Sequence, residues 1–181
     1  TATTRLWPIR PIPWSAPGAR GAGTVHLADS LDELLDVASL YASGAAPQGR
    51  RVGVITNAGG LGILCADACE GEGLELPSLA DVTVASLRAS LPPEASLANP
   101  VDMLGSATAA SYAQVLPALL ADPGLDAVIV LFVPAASVAA EDVAGAICRA
   151  VDADTGTKPV VAAVLSSEGI PLPLRRGGRI A

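Results

Sequence analysis

The chain has 181 residues, 51% of them apolar and only 3% aromatic, with a formal net charge of −7 and a pI near 4.5. That charge excludes the basic face by which a protein binds nucleic acid or an anionic membrane, and the length suits one α/β domain with an added arm. Mean hydropathy is +0.49, yet the apolar run Ala127 to Ala140 contains Pro134 and is shorter than the roughly 20 apolar residues of a membrane span.

Residues 1–24 alternate proline with bulky residues, as in Trp7-Pro8-Ile9-Arg10-Pro11-Ile12-Pro13-Trp14. Proline blocks both helix interiors and central strands, so this stretch predicts an extended arm or linker. Its tryptophans are expected to dock on a partner or on the domain's own surface, with a disordered arm as the alternative. The chain opens without Met and reads as cut from something longer. Residues 25–170 read as one folded domain, and 171–181 as a tail.

Ser30 and Glu33 have the spacing of a capping box, and Leu31, Leu34, Leu35 and Ala38 then form a helical stripe predicted to face the core. Residues 51–56 read as the first core strand. The glycine turn Thr56-Asn57-Ala58-Gly59-Gly60-Leu61-Gly62 opens a helix running to about Cys69, with Leu61, Leu64, Cys65 and Ala68 inward. Leu74–Leu76 is a short strand, and Asp81 is predicted to cap a helix that ends before Pro92-Pro93. Asn99 to Asp102 is a brief extended segment. Thr108 caps the next helix, with Tyr112, Val115, Leu116, Leu119 and Leu120 inward and Pro117 on the outer face. Asp126–Val133 reads as a central strand buried on both faces, 139–151 as a helix, and Pro159–Leu165 as a last parallel strand. This alternation defines an α/β fold, a doubly wound, mostly parallel sheet of the flavodoxin-like or Rossmann-like kind.

Two segments carry the chemistry. The turn at Asn57, Ala58, Gly59 and Gly60 fits neither the dinucleotide fingerprint nor a phosphate loop ending in Gly-Lys-Ser/Thr, so it is either a ligand-contacting turn or a plain tight one. In Asn99-Pro-Val-Asp102-Met-Leu-Gly105-Ser106-Ala107-Thr108, a helix start leaves first-turn amides without intrahelical partners and adds about half a positive charge. Ser106 and Thr108 can donate hydroxyl hydrogen bonds to phosphate. The alternative is an ordinary helix start capped by Thr108. Asp102 sits awkwardly beside an anion and fits better as an acceptor of backbone N–H groups.

No catalytic set is visible. His26, the only histidine, reads as a surface or arm residue. Cys65 and Cys69 lie four apart on one helix face, but no other Cys or His stands near them in sequence, so they read as small apolar residues and no metal is assigned. An odd cysteine count and no signal peptide suit the reducing cytoplasm.

Arg51-Val-Gly-Val-Ile-Thr-Asn-Ala-Gly-Gly-Leu-Gly-Ile-Leu64, Leu91-Pro-Pro, Asn99 to Thr108 and Ala121-Asp-Pro-Gly-Leu-Asp-Ala-Val-Ile-Val130 resemble the NDP-forming acyl-CoA synthetase family. The likeness spans about residues 27–166 and points to the second flavodoxin-like domain of the succinyl-CoA ligase-like part. It implies a role in converting acid, CoA and ATP to acyl-CoA, ADP and phosphate. In that family a histidine on the preceding flavodoxin-like domain, in the CoA-binding/phosphohistidine part, carries the phosphoryl group toward an ATP-grasp domain or subunit. The resemblance makes these two parts the partners. It places Gly105, Ser106, Ala107 and Thr108 at the phosphoryl group and Asn57, Ala58, Gly59, Gly60, Asn99 and Asp102 around the cavity. CoA and ATP/ADP with Mg then belong to the full enzyme, with none bound by this chain alone, and the isolated chain is expected to be inactive. The same cassette occurs fused to acetyltransferase domains, which leaves a non-catalytic regulatory role as the alternative.

Overall fold

The computed structural model describes residues 30–42, 47–135, 138–167, 169–176 and 179–180. The Trp-Pro arm and His26 lie outside the described residues, as does the Glu33 side chain of the expected capping box. The elements are α1 (Leu31–Ala42), β1 (Val52–Thr56), α2 (Gly59–Gly71), α3 (Asp81–Ser90), β2 (Val101–Asp102), α4 (Ala109–Ala121), β3 (Ala127–Phe132), α5 (Ala140–Ala153) and β4 (Val160–Val164), then a 3-10 turn at Leu172–Arg176. The four strands form a parallel sheet in the order β2-β1-β3-β4. The expected doubly wound α/β fold is present.

The main core lies between the sheet and α3, α4 and α5. All five residues predicted to face inward from α4, Tyr112, Val115, Leu116, Leu119 and Leu120, are buried, and Pro117 is exposed on the outer face. They pack with Val128, Val130 and Phe132 of β3 and with Val143 and Ile147 of α5. Tyr112 meets Phe132 edge to face at 5.7 Å between ring centres, and its hydroxyl donates to the Leu131 carbonyl at 3.0 Å. Gly53 belongs to this packing, because a Cβ there would stand 2.5 Å from Leu125 Cδ1. A two-sided burial of β3 holds only in part, since Ala127 and Ile129 on the α2 side are half-buried.

Four readings are corrected. Leu64 and Ala68 of α2 are exposed, and the buried positions are Gly62 and Cys69, with Leu61 and Cys65 half-buried. The reason is close approach: a Cβ at Gly62 would be 3.1 Å from Thr56 Cγ2 and 3.5 Å from Pro100 Cβ, so the glycine edge of the helix faces the sheet. Leu31, Leu34 and Leu35 of α1 are exposed rather than core-facing. Asp81 is the first residue of α3, not its cap. Ala80 is the cap residue, and its N–H donates to the buried Asp122 carboxylate at 2.9 Å. Burial pulls the Asp122 carboxyl upward, but hydrogen bonds from Thr83 and the Ala80 and Gly124 amides outweigh it and hold the group below its usual range.

The fourth correction concerns Leu74–Leu76, which makes a single parallel bridge, Arg51 with Glu75, rather than a strand. One edge of β1 is shared among three pieces of chain. The Val52 N–H donates to the Glu75 carbonyl at 2.7 Å. Next, Asn99 Nδ2 donates to the Val52 carbonyl at 2.8 Å, and the Val54 N–H donates to Asn99 Oδ1 at 2.9 Å. Finally the Met103 N–H donates to the Thr56 carbonyl at 2.8 Å. The Asn99 amide stands in for a missing strand residue, so the buried backbone groups of β1 stay paired.

The tail packs back on the domain. Leu174 and Ile180 lie against the main core, Ile180 bridges to Val160 of β4, and Arg179 pairs with Asp154 at 2.5 Å.

Candidate functional site

In an open parallel sheet the ligand crevice lies at the C-terminal ends of the strands where the order reverses. Here β1 connects to β2 on one side and has β3 on the other, so that point lies beyond Thr56 and Phe132. Asn57 closes its floor. Its Nδ2 donates to the Val133 carbonyl at 2.8 Å, and the Val133 N–H donates to its Oδ1 at 2.9 Å. Asn57 is 5% exposed, and its side chain ties two strand exits together. The Ala58 N–H donates to the buried Thr56 hydroxyl at 3.0 Å, which fixes the turn into α2.

Two helices begin at this edge. At α2, the Leu61 and Gly62 N–H groups return to the Ala58 carbonyl, which leaves Gly59 and Gly60 as its leading amides. The carboxylate of Asp102 lies against this start: a Cβ on Gly59 would be 2.6 Å from Asp102 Oδ2. Asp102 Oδ1 also accepts the Leu104 N–H at 2.9 Å, the loop-orienting role that its place in the sequence suggests. A carboxylate at a helix N-terminus is stabilised by the dipole there. Its charge reaches Tyr112, whose hydroxyl is pushed above its ordinary range first by burial and then by Asp102. Gly60 has open space around it.

At α4 the loop turns through Leu104, whose φ of +69° places a branched side chain in the left-handed region. Such a residue stores on the order of 1–2 kcal/mol. It is held by the Asp102 bond on its N–H and by the Ala107 N–H on its carbonyl. Ala107 is buried, while Gly105, Ser106 and Thr108 are exposed. Thr108 and Ser111 form a capping box, in which the Thr108 N–H donates to Ser111 Oγ at 3.1 Å and the Thr108 side chain accepts the Ser111 N–H. As first-turn amides, those of Ala109 and Ala110 have no intrahelical partner. Gly105 is the link between the two loops, since its Cβ position is 4.0 Å from the Asn57 carbonyl oxygen.

The structure therefore gathers Asn57, Ala58, Gly59, Gly60, Asp102 and Gly105 to Thr108 at one end of the sheet. Asn99 is spent elsewhere: its amide makes three hydrogen bonds, to Val52, Val54 and Pro77, below the crevice. Sequence reasoning missed Val133 and Leu104. Val133 ends an apolar run and Leu104 is an ordinary leucine in sequence, so neither carries a local signal. Among the described residues no three His, Cys, Asp or Glu side chains gather to hold a metal, and no helix is long and apolar enough to cross a membrane.

A four-stranded parallel sheet with helices, two of which start at its switch point, defines a domain of the α/β class. The chain belongs to the Ligase-CoA domain family, whose model matches residues 52–170. It is 40% identical over 140 residues to the α subunit of the ADP-forming acetate–CoA ligase II of Pyrococcus furiosus, covering 76% of this chain and 30% of that protein. Against the ADP-forming acetate–CoA ligase I of Archaeoglobus fulgidus the figures are 33% over 158 residues, 84% and 22%. The dinucleotide-forming acetyl-coenzyme A synthetase 1 of Ca. Korarchaeum cryptofilum, solved in complex with phosphate and ADP, superposes with a TM-score of 0.76 at 25% identity, over 87% of this chain and 35% of that one. The chain thus spans 22–35% of the length of these relatives.

Proposed function

We propose that this chain is the phosphoryl-facing domain of an ADP-forming acyl-CoA synthetase, which converts an acid, CoA and ATP to acyl-CoA, ADP and phosphate. The observation that carries the reading is the α4 start: exposed Gly105 and Ser106, followed by the leading amides Ala109 and Ala110, beside the Asn57 turn. Backbone amides at a helix N-terminus favour a dianionic phosphoryl group over water by on the order of 1–2 kcal/mol in favourable geometry. The role of this chain is to receive and steady that group while it is transferred. Likeness to a synthetase solved with phosphate and ADP supports this reading, and the ligase relatives favour it over regulation of an acetyltransferase.

The rest of the chemistry belongs to other parts. A CoA-binding domain bearing the phosphorylated histidine and an ATP-grasp domain or subunit complete the cavity. The nucleotide and its Mg are assigned there, because the described residues gather no acidic or histidine cluster. Mg supplies charge neutralisation of the nucleotide phosphates when bound. The setting is the cytoplasm.

The test uses the complete synthetase and the isolated chain. Alone, the chain should form no ATP from acetyl-CoA, ADP and phosphate. In the complete enzyme, Gly105→Val should slow phosphoryl transfer on the order of tenfold or more while CoA affinity is unchanged, since loss of one helix-end interaction is worth about 1–2 kcal/mol. Unaltered transfer in that variant, or turnover by the isolated chain, contradicts the proposal.

A further inference from the structure

Away from the crevice, α2 carries two thiols one turn apart. Cys65 is half-buried against the cluster of Val52, Val54 and Leu131, and Cys69 is buried on the same side of the helix. Residues four apart on a helix stand one above the other. Their influence on each other pushes the Cys65 thiol up and the Cys69 thiol down, so Cys69 is the sulfur that takes negative charge first.

Helix geometry decides what such a pair can hold. A disulfide needs sulfurs about 2.05 Å apart and Cβ atoms about 3.8 Å apart. Cβ atoms four residues apart on a helix stand about 5–6 Å from each other, so an S–S bond would distort α2. Two thiolate–metal bonds of about 2.3 Å each span up to about 4.6 Å without that distortion. A tetrahedral zinc site needs further ligands, and no third His, Cys, Asp or Glu joins the pair among the described residues. Soft thiolates select Cu(I) over harder ions, and a weakly hydrated ion suits walls of Val52, Val54 and Leu131.

We propose that Cys65 and Cys69 bind one soft monovalent cation of the Cu(I) class as a two-coordinate bis-thiolate. On binding, both S–H bonds break, the two protons pass to solvent, and two S–Cu bonds form with no change in oxidation state. Two-coordinate binding needs no third ligand, so it does not require another Cys or His near the pair in sequence.

Anaerobic titration of the reduced chain with Cu(I) supplied from its bicinchoninate complex tests the site. The expected result is one Cu(I) per chain, with affinity on the order of a hundredfold lower in Cys65→Ser and in Cys69→Ser. Cys148, whose Sγ donates to the Pro173 carbonyl at 3.5 Å, provides the control: Cys148→Ser should bind as the parent does. Equal affinity in parent and single variants, or loss in Cys148→Ser, overturns the proposal. A second measurement does not depend on any variant folding. Phenylarsine oxide should form one adduct bridging Cys65 and Cys69 on peptide mapping, and attachment through Cys148 or through one sulfur alone overturns the site.

Discussion

The two helices that start at the crevice treat their free amides in opposite ways. The start of α2 carries its own anion, the Asp102 carboxylate, packed so closely that Gly59 has no room for a side chain. The start of α4 is satisfied only by neutral hydroxyls, in the Thr108–Ser111 box, and its entry residues Gly105 and Ser106 are exposed. On the proposed function, a helix N-terminus is a joint where the chain supplies the negative charge and a receptor where it does not. Both uses rest on the same unpaired amides and dipole.

The sharpest break of this comparison is at the glycines. Gly59→Ala should destabilise the domain by ~1–3 kcal/mol, the cost of overpacking, because the new Cβ falls 2.6 Å from Asp102 Oδ2. Urea unfolding reads this directly. Combining it with Asp102→Ala should recover much of the loss, and simple additivity would show that crowding is not the cause. Next in size is the α4 start. Thr108→Ala removes half of the capping box and should cost ~1 kcal/mol. A smaller effect follows from Asp102→Asn, which keeps an acceptor for the Leu104 N–H but removes the charge from α2. Stability should fall by ~0.3–1 kcal/mol, and the Tyr112 hydroxyl should titrate at lower pH than in the parent, since one of the two causes of its upward shift is gone. The smallest change has the opposite sign. Gly60→Ala meets open space and should stabilise α2 by ~0.5 kcal/mol, through the lower entropy of the unfolded chain. A Gly60→Ala loss as large as that at Gly59 would erase the distinction between the two positions.

The parts of this architecture that could be read from sequence are those with a period. The α4 stripe from Tyr112 to Leu120 was legible because bulky apolar residues recur at helical spacing and bury together. On α2 the same rule picked Leu64 and Ala68, which are exposed, because glycine has no hydropathy signal even where it packs closely on the sheet, as at Gly62. The stripe of α1 failed in the same way, since a period shows which residues align and not what they meet. Within the candidate site, the Asn57 turn and the Gly105–Thr108 helix start were found because strand ends and helix starts have local signatures. The use of Asn99 as a strand substitute, the Asn57–Val133 tie and the left-handed Leu104 depend on contacts between distant segments, and no local pattern announces them.

The central claim is that the α4 start, and not the α2 start, receives a phosphoryl group. Titration of the isolated chain with inorganic phosphate, followed by amide NMR shifts, tests it most directly. Binding should be weak, in the range of tens of millimolar, because one helix end contributes only about 1–2 kcal/mol and the rest of the cavity lies in other parts of the enzyme. The account predicts shifts clustered at residues 105–111, absent at Gly59 and Gly60, and lost in Gly105→Val, a variant whose new Cβ meets only the Asn57 carbonyl oxygen at 4.0 Å and so should fold. Shifts centred on Gly59 and Gly60, or no saturable shift at all, would contradict it.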